Sequence, residues 1–155
     1  MVKSWIIIQR SLLVSIVAAL AAVVLAGCVE YGCPELVTIV RPVDGDTLIV
    51  AYGQLQFEVR IRGVDCPEWN EPGGREASEF ARELVAGRKA RLVYPDKGRV
   101  TDKHKRHLAF VDLLDEEPGS FIDFGAEMIR AGLCSPSERF PSPRHDLYQN
   151  LRGGD

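Results

Sequence analysis

Residues 55–68 read Leu55-Gln56-Phe57-Glu58-Val59-Arg60-Ile61-Arg62-Gly63-Val64-Asp65-Cys66-Pro67-Glu68. Leu55, Phe57, Val59 and Ile61 fall on one face of an extended chain and Gln56, Glu58, Arg60 and Arg62 on the other, which is the period of a half-buried strand. By that alternation Arg60 sits on the polar face, away from the core. Gly63 closes the strand, and the prolines and glycines beyond it make residues 66–74 a loop.

Upstream, residues 36–43 read as a strand, Asp44-Gly45 as a turn and residues 47–51 as the returning strand, with Tyr52-Gly53 turning the chain once more. Downstream, Ala77, Phe80, Ala81, Leu84 and Val85 recur at helical spacing over residues 75–86, and Gly87 stops that helix. Strands at 91–94 and 106–114 flank a basic loop at 95–105. After a turn at 115–119, Ser120 with Asp123 three positions on is a capping-box variant, which predicts a helix over 120–131 ended by Gly132. Pro136, Pro141 and Pro143 leave room for one further short helix at 144–151. Five short strands, a helix between the third and fourth, and more helix after the fifth predict an α+β domain. Its architecture is a five-stranded OB-type β-barrel with two to three helices packed on it.

The first residues are excluded from that barrel. Lys3 and Arg10 precede an uncharged apolar run from Leu12 to Ala26, shorter than the roughly 20 residues a helix needs to cross a bilayer, so an export signal is the better reading. Leu25-Ala26-Gly27-Cys28 resembles the bacterial lipobox, in which the cysteine is lipidated after cleavage. The expected organisation is a lipoprotein-type signal peptide at 1–27, a tether at 28–35 and the folded domain at 36–155. Acyl chains on Cys28 would hold an exported protein at the cell membrane or envelope, with plain secretion as the alternative. Of the four cysteines, Cys33, Cys66 and Cys134 then face an oxidising exterior, where three thiols form at most one pair. A Cys66–Cys134 bridge is one option, and no Cys or His spacing matches a zinc site.

The whole chain has a net charge of −3, and setting aside Lys3 and Arg10 leaves 17 basic against 22 acidic residues, or −5. That balance opposes a polyanion as partner. The distribution does not: residues 88–106 hold Arg88, Lys89, Arg91, Lys97, Arg99, Lys103, Lys105 and Arg106 against Asp96 and Asp102. Such a lobe either steers phosphate or is a solvated hairpin.

A hard cation such as calcium needs several oxygens converging on one point. Asp44, Asp46, Asp65 and Glu68 offer them from a turn and a strand end, although Asp-Gly alone is an ordinary turn signal. A phosphodiester gains charge towards its transition state and calls for fixed cations that do not titrate, and Arg60 and Arg106 are the candidates.

Taken together, Val43-Asp44-Gly45-Asp46-Thr47, residues 59–68, Arg75-Glu76-Ala77, Thr101-Asp102 with Arg106, Leu108-Ala109 and Ala131-Gly132-Leu133 resemble the staphylococcal nuclease or thermonuclease-like family, in family order. The resemblance implies a calcium-dependent phosphodiesterase, an endonuclease of the micrococcal nuclease type that cuts DNA and/or RNA and leaves 3′-phosphates. It implies calcium held by the Asp46 and Asp65 carboxylates and the Cys66 backbone carbonyl. Arg60 and Arg106 would hold the scissile phosphate, and Glu68 would orient or deprotonate the attacking water. Lys97, Arg99, Lys103 and His104 are the expected substrate-binding residues, and a monomer is expected. A catalytically inactive barrel that only grips nucleic acid is the competing reading, against which Asp46, Arg60, Asp65, Glu68 and Arg106 occurring together argue.

Departures from the family pattern carry expectations of their own. Cys66 replaces a threonine at a position whose ligand is a main-chain oxygen. His104-Lys105-Arg106-His107 replaces the usual Tyr-Gly-Arg-Gly, which puts the backbone geometry near Arg106 in question. Only Phe140 stands where an aromatic pair would line the nucleotide pocket. The closing helix is short, so thin core cover is expected at that end. His104, His107 and His145 read as solvated surface, and Trp69, Tyr94 and Tyr148 as packing or rim residues.

Overall fold

A computed structural model describes residues 36–95, 98–137 and 142–152. The predicted signal peptide, the tether with Cys28 and Cys33, Lys97 and Phe140 lie outside the described residues. Strands β1 (Leu36–Pro42), β2 (Thr47–Tyr52), β3 (Leu55–Ile61) and β4 (Val64–Asp65) precede helix α1 (Gly74–Val85). Then come β5 (Lys89–Val93), β6 (His107–Leu114), β7 (Phe121–Asp123), α2 (Phe124–Arg130), β8 (Ser135–Pro136) and α3 (His145–Arg152).

Strands β1, β2 and β3 form an antiparallel meander, and β5 pairs with β1 on one side and β6 on the other. Parallel pairing of β3 with β6, through Val59↔His107, Arg60↔Leu108 and Ile61↔Ala109, closes the five strands into a barrel. Closure removes free strand edges. It also explains why β6 is buried along nearly its whole length. The core comprises the inward residues of these strands, among them Leu48, Val50, Val59, Ile61 and Val111, under Ala77, Ala81 and Val85 of α1 and Phe124, Met128 and Ile129 of α2.

Two expectations are corrected. Residues 121–123 are strand rather than the first turn of a helix, pairing with β6 through Asp112↔Asp123 and Leu114↔Phe121. The cap of α2 is therefore Asp123, whose carboxylate accepts the Ala126 N–H at 3.1 Å. Gly132, at φ 72°, does end the helix, with its own N–H on the Ile129 carbonyl and the Leu133 N–H on that of Met128, a Schellman closure. The short final helix does not leave the core thin, because α3 inserts Tyr148 as a fully buried side chain.

The Tyr148 hydroxyl donates to Asp123 at 3.0 Å. Arg144 bridges Asp123 and Asp112 at 2.7 Å each, and Arg91 reaches Asp112 at 2.8 Å. This network ties β5, β6, β7 and α3 together. Elsewhere Cys66 and Cys134 form a disulfide that closes a 68-residue separation. Restricting the unfolded chain in that way is worth about 4 kcal/mol in the chain-entropy treatment.

Burial alone would raise the pKa of Asp112, but the Arg144 and Arg91 hydrogen bonds outweigh it and hold the carboxyl below its ordinary value. A carboxylate whose folded pKa is depressed stabilises the fold above its unfolded pKa of about 3.9, and that stabilisation is lost as pH falls through the lower folded value. Asp112→Asn is therefore expected to cost about 2–3 kcal/mol at pH 7 and to flatten the fall in Tm below pH 4. Thermal unfolding of parent and variant between pH 2 and 7 measures both.

Candidate active site

The turn between β1 and β2 is shaped by its own polar groups. Val43 donates its N–H to the Thr47 carbonyl at 2.8 Å, and the Asp44 carboxylate accepts the Asp46 N–H at 3.0 Å. Gly45 presses against the disulfide: a Cβ there would lie 2.8 Å from the Cys66 Cβ and 3.0 Å from that of Ala77. Only glycine fits such an approach. The turn consequently aims Asp46 inward, where its carbonyl accepts the Ile61 N–H at 2.8 Å.

Asp46 is buried and fully engaged. Its Oδ1 accepts from Thr47 Oγ1 at 3.2 Å, and its Oδ2 accepts the Cys66 N–H at 2.8 Å and faces Arg60 Nη1 at 2.5 Å. Arg60 Nη1 also donates to the Val64 carbonyl at 3.0 Å, while Nη2 donates to Asp65 Oδ1 at 2.8 Å. The expectation that Arg60 lies on an outward polar face is thus corrected: it is only 9% exposed. The strand also begins with Leu55 at 70% exposure, so the alternation of β3 holds through Phe57, Glu58 and Val59 and fails at both ends. At the Arg60 end the chain turns back at Gly63, at φ 80°, and lays β4 over the polar face.

Burial pushes Asp46 up to about 7, against the lowering effect of Arg60 and the Cys66 N–H, and the neighbouring Asp44 adds to the rise. One guanidinium shared with Asp65 does not neutralise the pair. Asp65, in contrast, has a side chain 56% exposed.

Arg106 joins the site from the other side. Its Nε donates to Asp102 Oδ2 at 2.8 Å, its N–H to Asp102 Oδ1 at 3.0 Å, and its Nη1 to Thr47 Oγ1 at 3.4 Å. Thr47 therefore links Arg106 to Asp46. Asp102 is held below its usual range, hydrogen bonds from Arg106 overriding its burial. Lys105 has φ 65°, a left-handed conformation that no other non-glycine residue adopts among the described residues. Lysine occupies this region, which favours glycine, at a cost of about 1–2 kcal/mol, and Asp102, gripping both the His104 and Arg106 N–H groups, imposes it.

Glu68 stands outside this network. It is exposed, and its N–H and carbonyl are fixed by Glu71 at 3.0 and 2.8 Å. Arg99, Lys103 and His104 are exposed on the basic loop, and the Arg99 carbonyl accepts from the buried Arg62 at 3.1 Å. His107 is not solvated surface: it is half-buried at the start of β6, packed against Phe57 with the rings tilted by 44° and their centroids 4.6 Å apart, and hydrogen-bonded to Tyr94. Two residues to which the sequence pattern gave no role, Thr47 and Asp102, hold Arg106 in place. Their signal is adjacency to Asp46 and spacing of four from Arg106.

The donors suit a hard cation. They are carboxylate and carbonyl oxygens, the Cys66 sulfur is locked in a disulfide, and Asp46 is short of positive charge. Among the described residues no three His, Cys, Asp or Glu side chains converge on a single point. A cation here would rest on Asp46, Asp65, the Cys66 carbonyl and water.

Comparison with known proteins gives the same direction. The chain is 37% identical over 119 residues to a thermonuclease of Staphylococcus hyicus, covering 73% of this chain and 64% of that protein. It is 35% identical over 113 residues to a thermonuclease of Staphylococcus intermedius, covering 69% and 62%. Endonuclease YncB of Bacillus subtilis (strain 168) is 41% identical over 81 residues, 48% of this chain and 38% of that protein. The chain spans less than two thirds of the length of these relatives. The family model described as staphylococcal nuclease homologue matches residues 58–153, from within β3 to beyond α3, and the chain belongs to that family.

Proposed function

We propose that the protein is a calcium-dependent endonuclease that hydrolyses phosphodiester bonds in DNA and/or RNA and leaves 3′-phosphates. The observation that carries this reading is the single buried guanidinium of Arg60 between Asp46 and Asp65, with Arg106 coupled to Asp46 through Thr47. Asp46, Asp65 and the Cys66 carbonyl would hold the ion. When bound, calcium supplies polarisation of a phosphate oxygen. Arg60 and Arg106 place fixed positive charge where the phosphorane accumulates negative charge. Glu68, exposed three residues beyond Asp65, orients or deprotonates the attacking water. Lys97, Arg99, Lys103 and His104 draw the polyanion to this face.

Rate measured against calcium at saturating substrate separates these roles. Glu68→Gln is expected to keep the parent's calcium dependence and lose roughly 10²- to 10⁴-fold in rate. Asp65→Asn, at an exposed carboxylate, is expected to need more calcium and to recover part of its activity as the metal is raised. Asp46→Ala is a poorer probe, because it strands Arg60 as a buried unpaired charge. A parent inactive in saturating calcium would leave only a nucleic-acid-binding module.

Counterion release makes binding fall with salt in proportion to the phosphates neutralised. Changing Lys97, Arg99 and Lys103 to Gln is expected to reduce the slope of log affinity against log salt by about 1 for each phosphate no longer neutralised, with the calcium requirement unchanged. An unaltered slope would return this loop to the status of solvated surface.

The same proposal places the domain outside the cell, held at the membrane by acylated Cys28. Cys28→Ser is expected to abolish incorporation of labelled fatty acid and to move the protein out of the membrane fraction. Persistent labelling of that variant would overturn this placement.

A further inference from the structure

The Asp65-Cys66 segment is supported weakly by its own backbone and firmly by one covalent bond. β4 and β8 pair through two residues each, Val64↔Pro136 and Asp65↔Ser135, far short of a ladder that is stable alone. The Cys66 N–H binds Asp46, and Gly45 of the opposite turn packs on the Cys66 Cβ and Sγ. The disulfide to Cys134 anchors this junction to the chain just beyond α2. A cavity of about 520 Å³, lined by Asp65, Cys66, Leu133 and Cys134 among others, opens beside the bond. Cys134 is only 8% exposed and packs with the core, so this cavity is the route by which a small thiol reaches the bond.

We propose that the Cys66–Cys134 disulfide is a redox-sensitive positioning device for the Asp46 and Asp65 carboxylates, with Cys134 as a positioning residue, so that the site takes calcium at low concentration only when the bond is oxidised. The proposal rests on the nuclease reading above. Its chemical step is ordinary thiol–disulfide exchange with a dithiol reductant. A thiolate of the reductant attacks one sulfur to give a mixed disulfide, and its second thiol displaces the protein sulfur. The protein bond thereby gains two electrons and two protons, yielding two thiols, while the reductant becomes a disulfide. Reduced, the Asp65-Cys66 segment keeps its two-residue ladder, the Cys66 N–H bond to Asp46 and the Arg60 contacts to Asp65 and the Val64 carbonyl, but loses its one covalent tie to the chain beyond α2. The barrel strands make no use of the bond. A chain still in a thiol-reducing cytosol would hold its nuclease site loose, and export into an oxidising compartment would assemble it.

The test uses the full chain before and after dithiothreitol. It reads rate against calcium at saturating labelled oligonucleotide, far-UV circular dichroism, and oligonucleotide affinity without calcium. Reduction is expected to raise the calcium concentration for half-maximal rate by about 10- to 100-fold, the usual effect of loosening groups that orient metal ligands. Circular dichroism and oligonucleotide affinity are expected to stay unchanged, and oxidised glutathione to restore the original curve. The double variant Cys66→Ala with Cys134→Ala is expected to show the reduced curve from the outset and no response to dithiothreitol, which assigns the effect to this bond rather than to Cys28 or Cys33. Superimposable calcium curves for the oxidised and reduced protein would overturn the proposal and leave the nuclease reading intact. Loss of the dichroism signal together with activity would overturn it too, making the bond a staple of the whole fold. An oxidised chain inactive in saturating calcium would overturn the nuclease reading, and this proposal with it.

Discussion

The Arg60 guanidinium is the fixed point around which this end of the barrel is arranged. It meets Asp46 from the end of the β1–β2 turn, Asp65 from β4 and the main-chain carbonyl of Val64. Burying a charge of this kind is costly unless its hydrogen-bonding capacity is used. The three contacts meet that requirement, and in doing so they dictate where the chain goes after Gly63. The backbone must double back for Val64 to present its carbonyl, and that return brings Cys66 onto Asp46 and Gly45.

Barrel register is what delivers the other parts to this point. In the antiparallel pair β2–β3, Thr47 lies opposite Arg60, and in the parallel pair β3–β6, Arg60 lies beside Leu108. Arg106, just ahead of β6, therefore arrives within reach of Thr47. A slip of one residue in the β2–β3 pairing would turn Arg60 and Thr47 to opposite faces, and one in the β3–β6 pairing would shift Arg106 along the barrel relative to both. The apolar alternation of Val59 and Ile61 against a closed core forbids such a slip, so packing inside the barrel secures polar geometry at its mouth.

The same alternation explains what the sequence could and could not disclose. Strands β1 to β3, helix α1 and the barrel class are legible, because period and turn residues report which side meets a core. The segments carrying Asp46, Arg60, Asp65 and Arg106 are legible through family resemblance. Burial of Arg60 and Arg62 is not, because alternation equates a polar face with solvent, and here a later loop covers it. Asp123 reads as a capping-box residue in the first turn of a helix because its partners, Arg144 and Tyr148, lie more than 20 residues away. Lys105 conceals a left-handed turn for a related reason: the constraint is imposed by Asp102, while composition would demand glycine. Tyr148 gives no sign in the sequence that one aromatic ring in a short helix seals the core.

Two buried aspartates show how a structural cluster differs from a site. Asp46 and Asp112 are each 5% exposed, so neither gains much from water. Asp112 has two arginines and lies below its ordinary pKa, whereas Asp46 shares one arginine with Asp65, has Asp44 nearby and is pushed up to about 7. A fold selected only for stability would balance both in the same way, since an uncompensated buried carboxylate costs free energy. At Asp112 the charge is neutralised from within the chain, and the cluster needs nothing outside it. At Asp46 positive charge is left wanting beside an exposed carboxylate and a main-chain carbonyl. That deficit, set at the mouth of a barrel with a second arginine held in reach, is what separates a place that can accept a cation from one that merely holds strands together.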